Sequence, residues 1–214
     1  MSLEIRITGI TCMSEDKICM SGYDIEAKKY FRPIVLNEKL TDNFLMNDAG
    51  IISIFSLVTF EKSKESIDSP APHIEDILIT KSILNITNDL VGNNKKQFLI
   101  DIADKSIEDV FGEYIEVVNG NPVVLISSGK RSLGTIIASS CEVFKDQHSN
   151  TRVNLVDKTG YELKNIKCVA YNNKYSKIGI YKNIPVRISL TRQWKKPGDD
   201  EAFYWIQVSG VFPF

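Results

Sequence analysis

The sequence predicts a mainly β protein, with two small barrels over 1–80 and 121–214 and a helical connector over 81–120. Three observations predict it. Apolar residues alternate with period two through most of the first unit, which places them on one face of successive strands. The spacing then becomes helical. After Asn119-Gly120-Asn121-Pro122 it returns to two and stays so to the end of the chain.

The first unit reads as a meander. Leu3–Thr8 alternates and opens a strand, and Lys17–Asp24 forms a second after a Ser-Glu-Asp turn. Lys29–Ile34 is a third, ended or pushed to an edge by Pro33, which has no amide to donate. Thr41–Met46 suits one helical turn capped by Thr41. Ile51–Phe60 is a long strand, Lys62–Ser69 a polar loop, and His73–Thr80 a last strand after Pro70-Ala71-Pro72. Five strands and a helical turn are the inventory of a small barrel.

In the connector, Thr80 caps a run carrying Ile83, Leu84, Thr87, Leu90 and Val91 to Gly92. A second run follows Asn94, with Phe98, Leu99, Ile102, Ala103, Ile107, Val110 and Phe111 ahead of Gly112. Gly at the stop and apolar stripes at helical spacing predict two amphipathic helices packed on barrel surface.

In the second unit Val123–Ile126, Ser132–Phe144, Thr151–Asp157 and Tyr161–Ala170 read as strands, the last two joined through Lys158-Thr159-Gly160. Tyr171–Tyr181 is rich in Lys, Tyr and Asn and weakly patterned. The chain closes with a hairpin across a Lys-Lys-Pro-Gly-Asp-Asp turn. Val186, Ile188 and Leu190 share one face of it with Tyr204, Ile206, Val208 and Phe212. The opposite face carries Arg187, Thr191 and Gln193 with Phe203, Trp205, Gln207 and Ser209. Aromatics, guanidinium and amides together suit a single-stranded nucleic acid.

Composition narrows the class. With 43% hydrophobic and 25% charged residues the chain is globular in type. No apolar run approaches the roughly 20 residues needed to cross a bilayer, and Met-Ser-Leu-Glu-Ile-Arg has no basic head or apolar signal core. No membrane and a cytoplasmic location are the expectations. Cys12, Cys19, Cys141 and Cys168 lack CxxC spacing and read as reduced, mostly buried thiols. Residues 1–112 carry 12 Lys+Arg and 18 Asp+Glu, and residues 113–214 carry 14 and 9, so net −6 is joined to net +5. A basic half can hold a polyanion locally while the whole chain stays near neutral.

Ser127-Ser128-Gly129-Lys130-Arg131-Ser132 imitates part of a phosphate loop. It lacks the earlier glycine, since position 124 is Val, and a strand-like segment follows where a helix is required. Lys130, Arg131 and Ser132 remain as phosphate-backbone contacts or as a solvated turn. Arg32 beside Tyr30 and Phe31 has the same two readings. Arg187 and Arg192 complete the candidate phosphate contacts, with Phe203, Trp205 and Trp194 as base-stacking platforms or core aromatics. His73 and Glu75 fall on one strand face beside Asp76. That set suits a barrel rim, and otherwise a metal-dependent phosphodiester site. No catalytic residue, cofactor or metal is otherwise signposted.

Ile7-Thr8-Gly9-Ile10-Thr11, Ile18-Cys19-Met20-Ser21-Gly22-Tyr23-Asp24, Phe31-Arg32-Pro33, Pro72-His73-Ile74-Glu75-Asp76 and Arg131-Ser132-Leu133-Gly134 follow one another over about the first two-thirds of the chain. In that order they resemble the dual OB-domain proteins of bacteria and archaea. Where the family has Pro-Pro-His, this chain reads Pro70-Ala71-Pro72-His73. The resemblance implies two consecutive OB-like barrels and recognition of nucleic acid, often in prokaryotic conflict settings, and it supplies no catalytic residues. The expected function is therefore non-catalytic binding of single-stranded or structured RNA or DNA. The alternatives are a protein-binding module using an acidic barrel or an edge strand, and the metal-dependent enzyme.

Overall fold

A computed structural model describes every residue except 14, 15, 127 and 198–200. Part of the expected Ser-Glu-Asp turn and the tip of the Pro-Gly turn thus lie outside the described residues. The chain divides into two compact units, Met1–Ser69 with Glu75–Lys95, and Pro70–Ile74 with Lys96–Phe214.

The first unit is built from β1 (Ser2–Cys12), β2 (Ile18–Asp24), β3 (Lys29–Ile34), a short β4 (Met46–Asn47) and β5 (Gly50–Ile51) hairpin, β6 (Leu57–Lys62) and β7 (Asp76–Thr87). Its ring runs β1-β2-β3-β7-β6 and closes β6 onto β1, with β3 and β7 the parallel neighbours. That is the ring order of an OB-like barrel. Leu3, Ile5, Ile7, Met20, Val58, Phe60 and Ile79 fill it. Gly22 on β2 is required by close approach. A Cβ there lies 2.7 Å from the Arg6 carbonyl oxygen and 2.9 Å from Ile5 Cδ1.

Residues 80–87 are strand, where spacing predicted helix. Between Thr59↔Asn85 and Phe60↔Ile83, β7 has one extra residue, and more lie between Ile83 and Ile79. These bulges break strict alternation, so the apolar positions fall at helical intervals. Thr80 caps no helix: its hydroxyl donates to Glu61 (2.8 Å) and accepts from the Ser82 amide (3.1 Å). The expected strand Ile51–Phe60 shrinks to β5 and β6 around an irregular Ile52–Ser56. A 3₁₀ turn occupies Asp42–Leu45, but Thr41 makes no side-chain cap.

Helix begins later than expected and in two pieces, α1 (Asn93–Asp101) and α2 (Ile107–Phe111). Ser106 caps α2 by accepting from the Asp109 amide at 3.0 Å, and Asp157 Oδ2 accepts the Ile107 amide at 3.0 Å. Gly112, at φ 95°, ends it as predicted.

The rest of the second unit is all strand: β8 (Ile115–Val118), β9 (Asn121–Val124), β10 (Leu133–Lys145), β11 (Thr151–Asp157), β12 (Glu162–Cys168), β13 (Gly179–Leu190) and β14 (Tyr204–Val211). β10-β11-β12-β14-β13 form a ring of five, closed by a short parallel pairing of Lys167 and Cys168 with Gln207 and Val208. It repeats the ring order of the first barrel. Beyond those two rungs β12 and β14 separate. The β8–β9 hairpin continues the sheet there, pairing Val123 and Val124 with Trp205 and Tyr204. Asn119 (φ 49°) and Gly120 (φ 73°) make its turn, the left-handed pair that two-residue hairpins favour.

The predicted inner face of β13–β14 holds. Val186, Ile188, Leu190, Tyr204, Ile206 and Val208 all join the core. Phe212 does not. A bulge at Ser209, between Arg187↔Gly210 and Ile188↔Val208, reverses parity and sends Val211 inward instead. The predicted outer face is covered as well. Thr135 and Arg187 are 0% exposed and Ser209 is buried. Asp104 on the α1–α2 link donates its amide to Thr135 O (2.7 Å) along the edge of β10, and Val110 of α2 joins the barrel core against Gly134. The helical segment therefore meets β10 at its edge and on its core side, while Arg187, the pairing partner of Thr135, lies on the opposite face.

Candidate nucleic-acid surface

Burial decides most of the sequence-predicted site. Arg187 is 0% exposed, and its Nη1 donates to the carbonyls of Gly134 (2.5 Å) and Ile188 (3.0 Å). A phosphate cannot reach it, which corrects its placing on an open face. Arg131 is ion-paired to Asp104. Burial pushes the Asp104 carboxyl above its ordinary range, against the opposing pull of Arg131. Ser132 is buried, and its carbonyl accepts the Leu190 amide at 2.9 Å. Arg32 is buried on β3 with Nη1 3.1 Å from Asp76. Among the predicted cations Lys130 and Arg192 lie at the surface.

His73, Glu75 and Asp76 do not form the predicted strand face, because β7 begins only at Asp76. His73 packs edge-on against Tyr204, centroids 5.3 Å apart. The Glu75 carbonyl accepts the Arg32 amide at 2.8 Å, and the Asp76 carboxylate is held by Arg32 and by Ser69 Oγ at 3.3 Å. Among the described residues no three His, Cys, Asp or Glu side chains are grouped to hold a metal ion. All four thiols are free, and Cys12 is exposed where burial was expected. Burial pushes the Cys141 thiol up to about 12.

The aromatics divide differently. Phe203 and Trp205 are each 8% exposed and share a small satellite core with Val123, closed by Val118 and Leu125 of the β8–β9 region. Trp194 is 51% exposed. Its backbone forms a two-way bridge with Phe203 (3.1 and 3.2 Å), and its ring meets Trp205 edge-on at 6.1 Å. Trp205 Nε1 donates to the Trp194 carbonyl at 3.1 Å, and Lys196 Nζ sits 5.6 Å from the Trp205 ring centre. One indole is thus presented and one is structural, which also corrects the reading of Phe203 and Trp205 as open platforms. Beside them is a depression of about 400 Å³ lined by Leu125, Ile126, Gln193, Glu201, Ala202 and Phe203.

A second feature was missed at the residue level. Between Lys158 and Lys182 the chain has six lysines and one acid, Glu162. This net +5 accounts for the whole excess of residues 113–214. All six lysines are exposed. Lys164 pairs with Glu162 at 3.1 Å; for Lys158, Lys167, Lys174, Lys177 and Lys182 no acidic partner occurs among the described residues. On β12 a bulge keeps two of them outward. Asn165, at φ 57°, is the extra residue between Leu155↔Leu163 and Val153↔Ile166. Leu163 and Ile166 therefore both face the core while Lys164 and Lys167 face solvent. Asn165 is fixed by Asn154 Oδ1 (2.9 Å) and by its own Nδ2 donating to Gly120 O (3.1 Å). The signal was the Lys, Tyr and Asn richness of 171–181, passed over because it lacks periodicity.

Comparison with known proteins finds no matching family model, no matching curated protein and no matching solved structure. Two OB-like barrels are what the fold establishes. No helix among the described residues is long and apolar enough to cross a membrane.

Proposed function

We propose that this protein is a non-catalytic binder of single-stranded nucleic acid, a dual OB-domain protein whose C-terminal barrel takes the strand. The observation that carries the reading is the lysine segment. Five exposed cations without acidic partners, on and beside the third strand of an OB-like barrel, make a surface for a phosphate backbone. Trp194 supports the single-stranded form, because an exposed indole stacks on a base face that a duplex keeps covered. Fluorescence anisotropy with short labelled RNA and DNA strands across a salt series tests it. Tight low-salt binding that weakens steeply with salt, and single strands held above duplex, is expected. No binding at low salt ends the reading.

Strand β8 favours a second reading. It is the outer edge of its sheet and exposes Val117, with exposed Tyr114 just before it, a place for an extended peptide to add a strand. Capture of a protein partner that persists in high salt, with no oligonucleotide bound, would select it.

A further inference from the structure

The depression beside Trp194 differs in chemistry from the lysine segment. Its lining is apolar at Leu125, Ile126, Ala202 and Phe203, and its polar members are the amide of Gln193 and the carboxylate of Glu201. Among the described residues no cation is paired with Glu201. A phosphate is repelled by that carboxylate, so the group seated here is flat, largely apolar and rich in donors. We propose that the depression is a base-selective subsite for an unpaired guanine. This rests on the nucleic-acid reading and deepens it.

The choice among bases follows from their edges. A carboxylate only accepts hydrogen bonds. Guanine offers it two adjacent donors, the ring N1–H and the N2 amino group, while O6 accepts from the Gln193 amide nitrogen. Adenine and cytosine offer one amino group beside a bare ring nitrogen whose lone pair faces the carboxylate. Uracil and thymine offer one N–H flanked by two carbonyl oxygens. Unpaired bases are read on these edges while their faces rest on aromatic side chains. Trp194, exposed and bridged to Phe203 at the edge of the depression, supplies such a face. The volume falls within the range of small-ligand sites and takes one base rather than a run.

Single-stranded uridine runs carrying one guanosine, inosine, adenosine or cytidine at a central position test this on the full chain. The guanosine strand is expected to bind roughly five- to a hundredfold tighter than the plain run, the range of a paired-donor contact. Inosine, which lacks the N2 amino group, falls between, and adenosine and cytidine match the plain run. E201Q and, independently, Q193A lower the guanosine strand toward the plain run. K167Q weakens every strand alike and leaves the preference in place. Equal affinity for all strands, or a preference untouched by E201Q and Q193A, overturns the subsite while the binding function stands. Failure of every strand to bind at low salt overturns both.

Discussion

The two barrels share a ring order, and in each the third and fifth strands run parallel, yet their surfaces are charged oppositely. The first unit carries ten Lys+Arg and fourteen Asp+Glu, net −4; the second carries sixteen and thirteen, net +3. Both barrels bury cations. Arg6 and Arg32 of the first barrel meet Asp89 at 2.8 Å and Asp76 at 3.1 Å. In the second, Arg187 donates to the carbonyls of Gly134 and Ile188. The shared scaffold is a matter of inward-facing residues, and the difference in charge lies in what was added outside it.

The largest expected effect tests that difference. Changing Lys158, Lys167, Lys174, Lys177 and Lys182 to Gln should weaken single-strand binding by roughly a hundredfold or more at low salt. The log–log salt slope should shrink by up to about 3.5, at about 0.7 per lost single-strand phosphate contact. The same treatment of Lys28, Lys29, Lys39, Lys62 and Lys64 in the first barrel should leave both within experimental spread. Equal losses from the two sets would erase the functional distinction between the barrels.

Next is the buried guanidinium. R187A strands the carbonyls of Gly134 and Ile188 and should cost about 2–5 kcal/mol in denaturant unfolding. R192A, on the exposed segment just past the end of β13, should change stability by no more than about 0.5 kcal/mol. A mild R187A would mean that the interior of the second barrel does not depend on it.

The glycines sharpen the comparison further. G134A and G22A should each cost about 1–3 kcal/mol through overpacking. Gly134 faces the Val110 side chain, whereas Gly22 faces the Arg6 carbonyl as well as Ile5. Trimming Val110 to Ala should therefore recover part of the G134A loss in a double-mutant cycle. Trimming Ile5 should leave most of the G22A loss, because the backbone contact remains.

The smallest effect is at acid pH. Arg152 and the Asn150 and His148 amides hold the Asp146 carboxyl below the usual carboxylate range, and Arg6 does the same for Asp89 in the first barrel. A lowered folded value means stability that is present above the ordinary 3.8 and is lost as pH falls through the folded value. D146N and D89N should each flatten the fall in denaturant midpoint between neutral and acid pH, slightly, since both carboxylates meet solvent.

Much of the scaffold was legible. Lys29–Ile34 and Thr151–Asp157 were placed to the residue, and the inward set of the terminal hairpin was right except at Phe212. Misreadings cluster where bulges disturb parity: residues 80–87, read as helix, and Phe212, buried but off the face it was read on. The Asn119-Gly120 signal marked a turn, but its first strand, β8, was absorbed into the connector. The candidate site was less legible because an outer face becomes an inner one when another segment lies on it. Alternation along β13 cannot show that Arg187 and its neighbour Thr135 are fully buried, or that β8–β9 shelters Trp205. Trp194, on the loop between β13 and β14, stays exposed.

The left-handed residue at 165 works as a phase shifter for charge. Keep it but draw it into the regular ladder, and Ile166 turns to water while Lys167 points at the hydrocarbon interior, with no change in net charge. Two chains with identical lysine counts can therefore differ completely in whether β12 presents a cationic stripe. A search for similar surfaces should weigh an Asn or Gly midway between the two lysines above the lysines themselves.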